Sequence, residues 1–354
     1  MLEKRPSVGR NLDALDGVRG LAVVLVIASH TSALGMAKQG AAGVWLFFAL
    51  SAFLLTIPFA ANPNAALRPR RLRTYAARRL RRILPGYYFV IFVVFFLQSS
   101  DLEMLLRHLV FLEANGIWWT IPQELLFYLV LPLLAASHVW IFRRNIAVTV
   151  LGLLFLGAMA SLHLDHHVFA IRGNSKWLPF YLGVFLPGMA ASYATASPAL
   201  SRLVAIPGVN RGLNALGLVL LAFPIATAPA HYERFLADLP LVGALGGNSA
   251  WGRPGLFGGI SALIIYCTVV CKGRLLDRIM STVALRALGV VSFSLYLVHI
   301  VVRDKLEALG LERGTELFLG TLIVGFAIAC ALYGLVERPF LRRPSPESQP
   351  GDAR

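Results

Sequence analysis

In the stretch LDALDGVRGLAVVLVIASH, residues 12–30, an apolar run carries Arg19 near one end and His30 at the other. On one helix the two lie roughly 16 Å apart at a rise of about 1.5 Å per residue, half the hydrocarbon thickness of a bilayer. Ionisable groups at such depth are costly and tend to face a cavity or mark a functional site. A second chemical cluster lies in YAARRLRRILP, where Arg78, Arg79, Arg81 and Arg82 crowd just over one helical turn. Guanidinium groups recognise phosphate bidentately, so this cluster suits a pocket for a multiply charged anion.

Each of these residues also has a plainer use. Arg19 can snorkel to lipid phosphates, His30 can be bonded to a backbone carbonyl, and the arginine cluster can set topology on anionic lipid. Further ionisable groups fall into two sets by depth. His30 shares its side with Glu124, just inside a fourth apolar stretch, and with His299 in VSFSLYLVHI. Asp16, Arg19 and Glu337 share the other side with the basic segment LRPRRLRTYAARRLRRILP. Glu124 can cap its own helix, because carboxylates favour the first turn. In SLHLDHHVFAIRGNSKW, His163, Asp165, His166 and His167 have the types of metal ligands, but adjacent histidines point apart and no fourth ligand at fixed spacing follows. No metal is expected.

The elements that position these groups follow from composition. The chain has 354 residues, 57% hydrophobic and 14% charged, with mean hydropathy +0.68. A soluble domain carries about a quarter charged residues, so this is the composition of an all-α polytopic membrane protein. Apolar windows of spanning length fall near 16–36, 41–60, 83–99, 117–141, 146–162, 177–195, 212–230, 255–271, 284–302 and 316–336. These predict about ten transmembrane helices. Most of the 33 Lys and Arg residues then lie on the side of the N-terminus, which predicts both termini in the cytoplasm. The net charge of +15 is concentrated in these short breaks and does not call for nucleic acid. Cys267, Cys271 and Cys330 lie in apolar runs and read as packing residues. No cleavable signal is expected before the first span. Residues 1–340 are expected to form a single membrane domain, and 341–354 a short polar cytoplasmic tail.

Taken in order, the motifs resemble the acyltransferase-3 family of integral membrane O-acyltransferases. LDALDGVRGLAVVLVIASH is similar to the family's first-span signature, and VWLFFALSAFLLT to its second, with Ala52 where glycine is usual. RRLRRILPGYY resembles the Arg-rich start of the third span. WTIPQELLFYLVLPLL keeps the motif's Trp119, Glu124, Phe127, Tyr128 and Pro132, with Leu125 replacing a second acid. SFSLYLVHI and LYGLVERPF resemble the last two span motifs, ending in Glu337 and Pro339. The extra esterase-like domain of some members has no counterpart in these residues, so the membrane unit or a partner is expected to complete the reaction.

The resemblance implies transfer of an acyl group, commonly acetyl, from cytoplasmic acyl-CoA to a hydroxyl of a carbohydrate or glycoconjugate, in a bacterial inner membrane. Acyl-CoA is then a donor substrate, with no permanently bound cofactor. Arg19 and Arg78, Arg79, Arg81 and Arg82 would hold its phosphates. His30 would act as base or acyl carrier, with Glu124 orienting or charge-stabilising the imidazole. Asp16, Trp119, Tyr128, Ser294, Tyr296, His299 and Glu337 are candidates for acceptor contact or structural support. A transporter or flippase of lipid-linked substrates is the alternative, since buried charges also line transport pathways; it predicts paired repeats, and none is visible.

Overall fold

The computed structural model describes residues 12–98, 102–111, 116–168, 181–235 and 249–341, and every regular element among them is helical. The first half contains α1 (Leu12–His30), α2 (Ala41–Ala61), α3 (Pro69–Gln98), α4 (Leu102–Leu109), α5 (Thr120–Trp140), α6 (Ile146–Val168) and α7 (Leu182–Thr195). The second contains α8 (Pro198–Val204), α9 (Pro207–Ala226), α10 (Pro229–Phe235), α11 (Ser249–Gly252), α12 (Pro254–Val270) and α13 (Leu275–Met280). It continues with α14 (Val283–Val290), α15 (Ser292–Ala308), α16 (Thr315–Leu332), one π-helical turn (Tyr333–Glu337) and α17 (Arg338–Leu341).

Five helices among the described residues are long and apolar enough to cross a membrane: Ala41–Ala61, Pro69–Leu97, Gly116–Trp140, Pro207–Ala226 and Thr315–Leu341. Taking α14 and α15 as one broken span adds a sixth. The apolar helices Ile146–Leu162 and Pro254–Val270 are shorter. α1 carries Asp13, Asp16 and Arg19 in its 19 residues.

Two expected segments take a different form. The basic segment between the second and third spans is helical from Pro69, continuous with the apolar half of α3 over 30 residues. Proline suits a first helical turn, and Arg, Leu and Ala are strong helix formers. The stretch near 284–302 is not one helix. It bends by 81° between α14 and α15, at Val291, whose φ of −100° and ψ of 11° leave the helical region.

That bend lays α14 across α1. The approach is close enough to need glycine: a Cβ on Gly20 would sit 2.0 Å from the Leu285 carbonyl oxygen, and one on Gly289 1.7 Å from that of Asp16. α1 thereby contacts α2, α13, α14 and α15 at once, with Val18, Ala22 and Val26 completely buried. α2 packs between α1, α7 and α12. Its Phe48 stacks on Phe185 of α7 at 4.6 Å, and Phe185 stacks on Phe127 of α5 at 4.0 Å. Ala52 is buried without exposure in this packing. α6 continues through Val168; the side chains of His163, Asp165, His166 and His167 lie outside the described residues, as does the tail beyond Leu341.

Candidate active site: two adjoining cavities

Two cavities open around α1 and α2. The first, of about 120 Å³, is walled by Arg19 of α1, Ser51 of α2, Arg79 and Arg82 of α3, and Glu124 and Tyr128 of α5. Ser292 and Phe293 at the start of α15 close it. The second, of about 550 Å³, is lined by Ser29, His30, Ser32, Lys38, Trp119, Arg303 and Arg313. Both include Val44 and Tyr296 in their walls.

In the larger cavity His30 is paired with His299. His30 Nδ1 lies 3.0 Å from His299 Nε2, and the rings stack at 5.1 Å. His299 is fully buried, and its Nδ1 lies 2.6 Å from the backbone carbonyl oxygen of Tyr296. A carbonyl only accepts, so in the neutral pair His299 Nδ1 carries the proton and Nε2 accepts. His30 must then donate from Nδ1, which leaves His30 Nε2 with a free lone pair. Hydrogen bonding alone thus fixes the tautomer in which His30 can take up a proton or attack a carbonyl carbon. The end of α1 is held by Arg303, whose Nη1 donates to the His30 carbonyl oxygen at 3.4 Å. Arg303 is itself paired with Asp304.

The smaller cavity is dominated by cations. Arg19 is bonded to Asp16 at 2.5 Å. Arg82 Nη1 lies 3.3 Å from Glu337 Oε2, and the other carboxylate oxygen of Glu337 accepts from the Ser294 hydroxyl. Glu337 is only 1% exposed and ends the π-helical turn, a local bulge of the kind that re-aims side chains at functional sites. Arg79 contributes a buried Nε without a hydrogen-bond partner among the described residues. Glu124 accepts from Ser51 Oγ at 2.7 Å and from the Tyr128 hydroxyl.

The sequence-derived site is therefore divided. Arg19, Arg79, Arg82, Glu124 and Tyr128 share the smaller cavity; His30 and Trp119 line the larger one, with Tyr296 between them. Asp16, Ser294 and Glu337 hold the arginines from behind, and His299 holds His30. Glu124 does not wall the His30 cavity: the orienting partner of His30 is His299, and Glu124 is engaged by hydroxyls on the arginine side. Arg78 and Arg81 are exposed, and neither walls a cavity. Arg79 and Arg82 share one face of α3 at i, i+3 spacing, and Arg78 and Arg81 share the neighbouring one. Ser51, Thr120, Lys38, Arg303 and Arg313 were not anticipated. Ser51 stood within the second-span motif, whereas nothing local marks the others. No group of three or more His, Cys, Asp or Glu suited to a metal occurs among the described residues.

The family model described as an acyltransferase domain matches residues 12–336. The chain belongs to the acyltransferase-3 family. Peptidoglycan O-acetyltransferase OatA of Listeria monocytogenes is 26% identical over 325 residues, covering 81% of this chain and 48% of that protein. A putative O-acetyltransferase of Staphylococcus aureus is 24% identical over 371 residues, covering 94% of this chain and 57% of the relative. Putative peptidoglycan O-acetyltransferase YrhL of Bacillus subtilis is 34% identical over 131 residues, 34% of this chain and 19% of the relative. The chain spans about half the length of the first two relatives. No solved structure matches it.

Proposed function

We propose that this protein is a membrane O-acyltransferase that moves an acyl group, acetyl by analogy with its relatives, from acyl-CoA to a carbohydrate hydroxyl. The observation that carries this reading is that a cation-walled cavity and a histidine-lined cavity adjoin, sharing Tyr296 and Val44 in their walls. A volume of about 120 Å³ is below the roughly 300–1,000 Å³ that small-molecule sites usually offer. It suits the narrow pantetheine arm, not the nucleotide. The nucleotide phosphates then sit at the mouth, where Arg19, Arg79 and Arg82 meet the arm and the exposed Arg78 and Arg81 extend the positive surface.

The acceptor hydroxyl enters the larger cavity, where Trp119 offers an aromatic wall to a sugar and Ser29, Ser32 and Lys38 offer hydrogen bonds. His30 Nε2 takes the hydroxyl proton as the oxygen adds to the thioester carbonyl. The C–S bond then breaks, and the departing thiolate collects the proton as free coenzyme A. The same lone pair would serve an acyl-imidazole route, in which His30 is acylated first and the hydroxyl second. Direct transfer needs one fewer covalent step. The orientation we propose puts the arginine end in the cytoplasm, in keeping with the Lys and Arg bias, across about ten spans of a bacterial inner membrane. Peptidoglycan or a related glycan outside is the acceptor class suggested by the relatives' names.

The reading is tested with purified protein in nanodiscs, acetyl-CoA and a panel of glycans, following free thiol and the acetyl mass increment on the glycan. His30→Ala should lower transfer by about 10²–10⁴-fold, the usual worth of general-base help, while acetyl-CoA still binds. Thiol release and glycan acetylation that are unchanged in His30→Ala would remove the central residue of the reading.

A further inference from the structure

We propose that the Tyr296 ring is the septum between the two cavities, and that it must swing aside for the acyl group to reach His30. The proposal rests on the acyl-transfer reading above and adds what decides transfer over hydrolysis. Among the residues that line the cavities, only Val44 and Tyr296 wall both. The Tyr296 hydroxyl donates to the Ile117 carbonyl oxygen at 2.7 Å and accepts from Thr120 Oγ1 at 3.2 Å. Ile117 lines the histidine cavity and Thr120 the arginine cavity, so the two bonds straddle the boundary and latch the ring across it. On the arginine side, Phe47 meets the ring edge-on at 6.2 Å.

The same residue bonds the dyad through its backbone. The Tyr296 carbonyl fixes the proton on His299 Nδ1, and a carbonyl does not move when its own side chain rotates about χ1 and χ2. The septum can therefore open while the His299–His30 tautomer is kept. Closed, it separates the thioester from water in the larger cavity. Open without an acceptor, it would let a water oxygen add to the carbonyl and break the C–S bond, giving carboxylate and free thiol. Tyr296 is thus a positioning residue that times access.

The barrier is read without any turnover. In a background with Cys267, Cys271 and Cys330 replaced, Leu54→Cys places a thiol in the wall of the arginine cavity. In sealed vesicles of either orientation, a membrane-impermeant thiol reagent should label it from the arginine face alone. With Tyr296→Ala added, it should be labelled from both faces. Labelling from both faces with Tyr296 intact, or from the arginine face alone after its removal, would overturn the septum. Tyr296→Phe keeps the ring and loses the latch; acceptor-independent thiol release from acetyl-CoA should rise about tenfold, the effect expected for two neutral hydrogen bonds. An unchanged ratio of hydrolysis to transfer in Tyr296→Phe, with the parent active, also overturns it. If labelling follows the expected pattern but the parent releases no thiol, the acyl-transfer reading fails and the septum stands.

Discussion

His30 Nδ1 and His299 Nε2 meet at 3.0 Å although 269 residues separate them in the chain. The contact joins the last turn of α1 to the middle of α15, the second half of the broken pair. Because the Tyr296 carbonyl holds the far nitrogen of His299, the three groups form a directional line: carbonyl, His299, His30. Its open end is His30 Nε2. The side chain bonded to His30 is thus a second imidazole and not a carboxylate.

A line of this kind makes the two histidines unequal. Removing His30 deletes the reacting nitrogen, whereas removing His299 only frees its tautomer and orientation. His299→Phe should keep the stacked ring and lower kcat by about 10–10²-fold, less than His30→Ala. The double variant should be no worse than His30→Ala alone, since groups acting as a unit are not additive. Initial rates for the cycle decide this; equal and independent losses would dissolve the line into two separate roles.

The division of the arginines predicts a division in binding. Arg79→Ala removes a guanidinium whose buried Nε has no partner among the described residues; a charged hydrogen bond of about 1.5–3 kcal/mol corresponds to roughly ten- to hundredfold weaker acyl-CoA binding. Arg78→Ala and Arg81→Ala act on exposed side chains, so their effect should be smaller and should fade as salt rises. Titration calorimetry or a fluorescent CoA analogue at low and high salt measures both. An Arg78→Ala loss as large as that of Arg79→Ala at high salt would contradict the assignment.

Arg82 has a structural duty as well. Its salt bridge to Glu337 is 27% exposed on the arginine side chain and 1% on the carboxylate, so Arg82→Ala leaves a buried charge with Ser294 as its remaining partner among the described residues. Breaking a buried pair costs about 3–5 kcal/mol, and the partial exposure of Arg82 sets this one at the lower end. The melting temperature in detergent should fall clearly for Arg82→Ala and recover in part for Arg82→Ala with Glu337→Gln. A melting temperature that does not respond to the second change would mean that Glu337 does not depend on Arg82.

How far the sequence carries this picture varies by residue. Arg19 and His30 stand out because ionisable groups are costly in apolar helices, and that argument needs no neighbour. The arginine cluster is visible as just over one helical turn, but which of its two faces turns inward depends on the helices packed against α3, which no local pattern names. The partner of His30 was out of reach, since no local spacing connects positions 30 and 299. Glu124 illustrates the same limit from the other direction: it lies near the start of its helix, yet it walls the arginine cavity and not the one lined by His30. The break at Val291 has no Pro or Gly at the hinge itself, so no local signal marks it.

That packing gives the last prediction. Gly20 and Gly289 face each other's helices, and an added Cβ would lie 2.0 Å and 1.7 Å from backbone oxygens of Leu285 and Asp16. Backbone cannot yield as the end of a flexible side chain can, so Gly20→Ala or Gly289→Ala must push α14 off α1. Overpacking of this sort costs about 1–3 kcal/mol or more. It should also disturb function, because Asp16 is both the residue approached by Gly289 and the partner of Arg19 at 2.5 Å. Gly289→Ala should therefore lower thermal stability and weaken acyl-CoA binding together. Gly259→Ala supplies the contrast, since its Cβ would meet nothing within 4 Å, and alanine in a helix is favoured over glycine. Melting temperatures and donor affinities for the three variants settle the matter: a Gly289→Ala protein as stable as Gly259→Ala would show that α1 and α14 are not in close backbone contact.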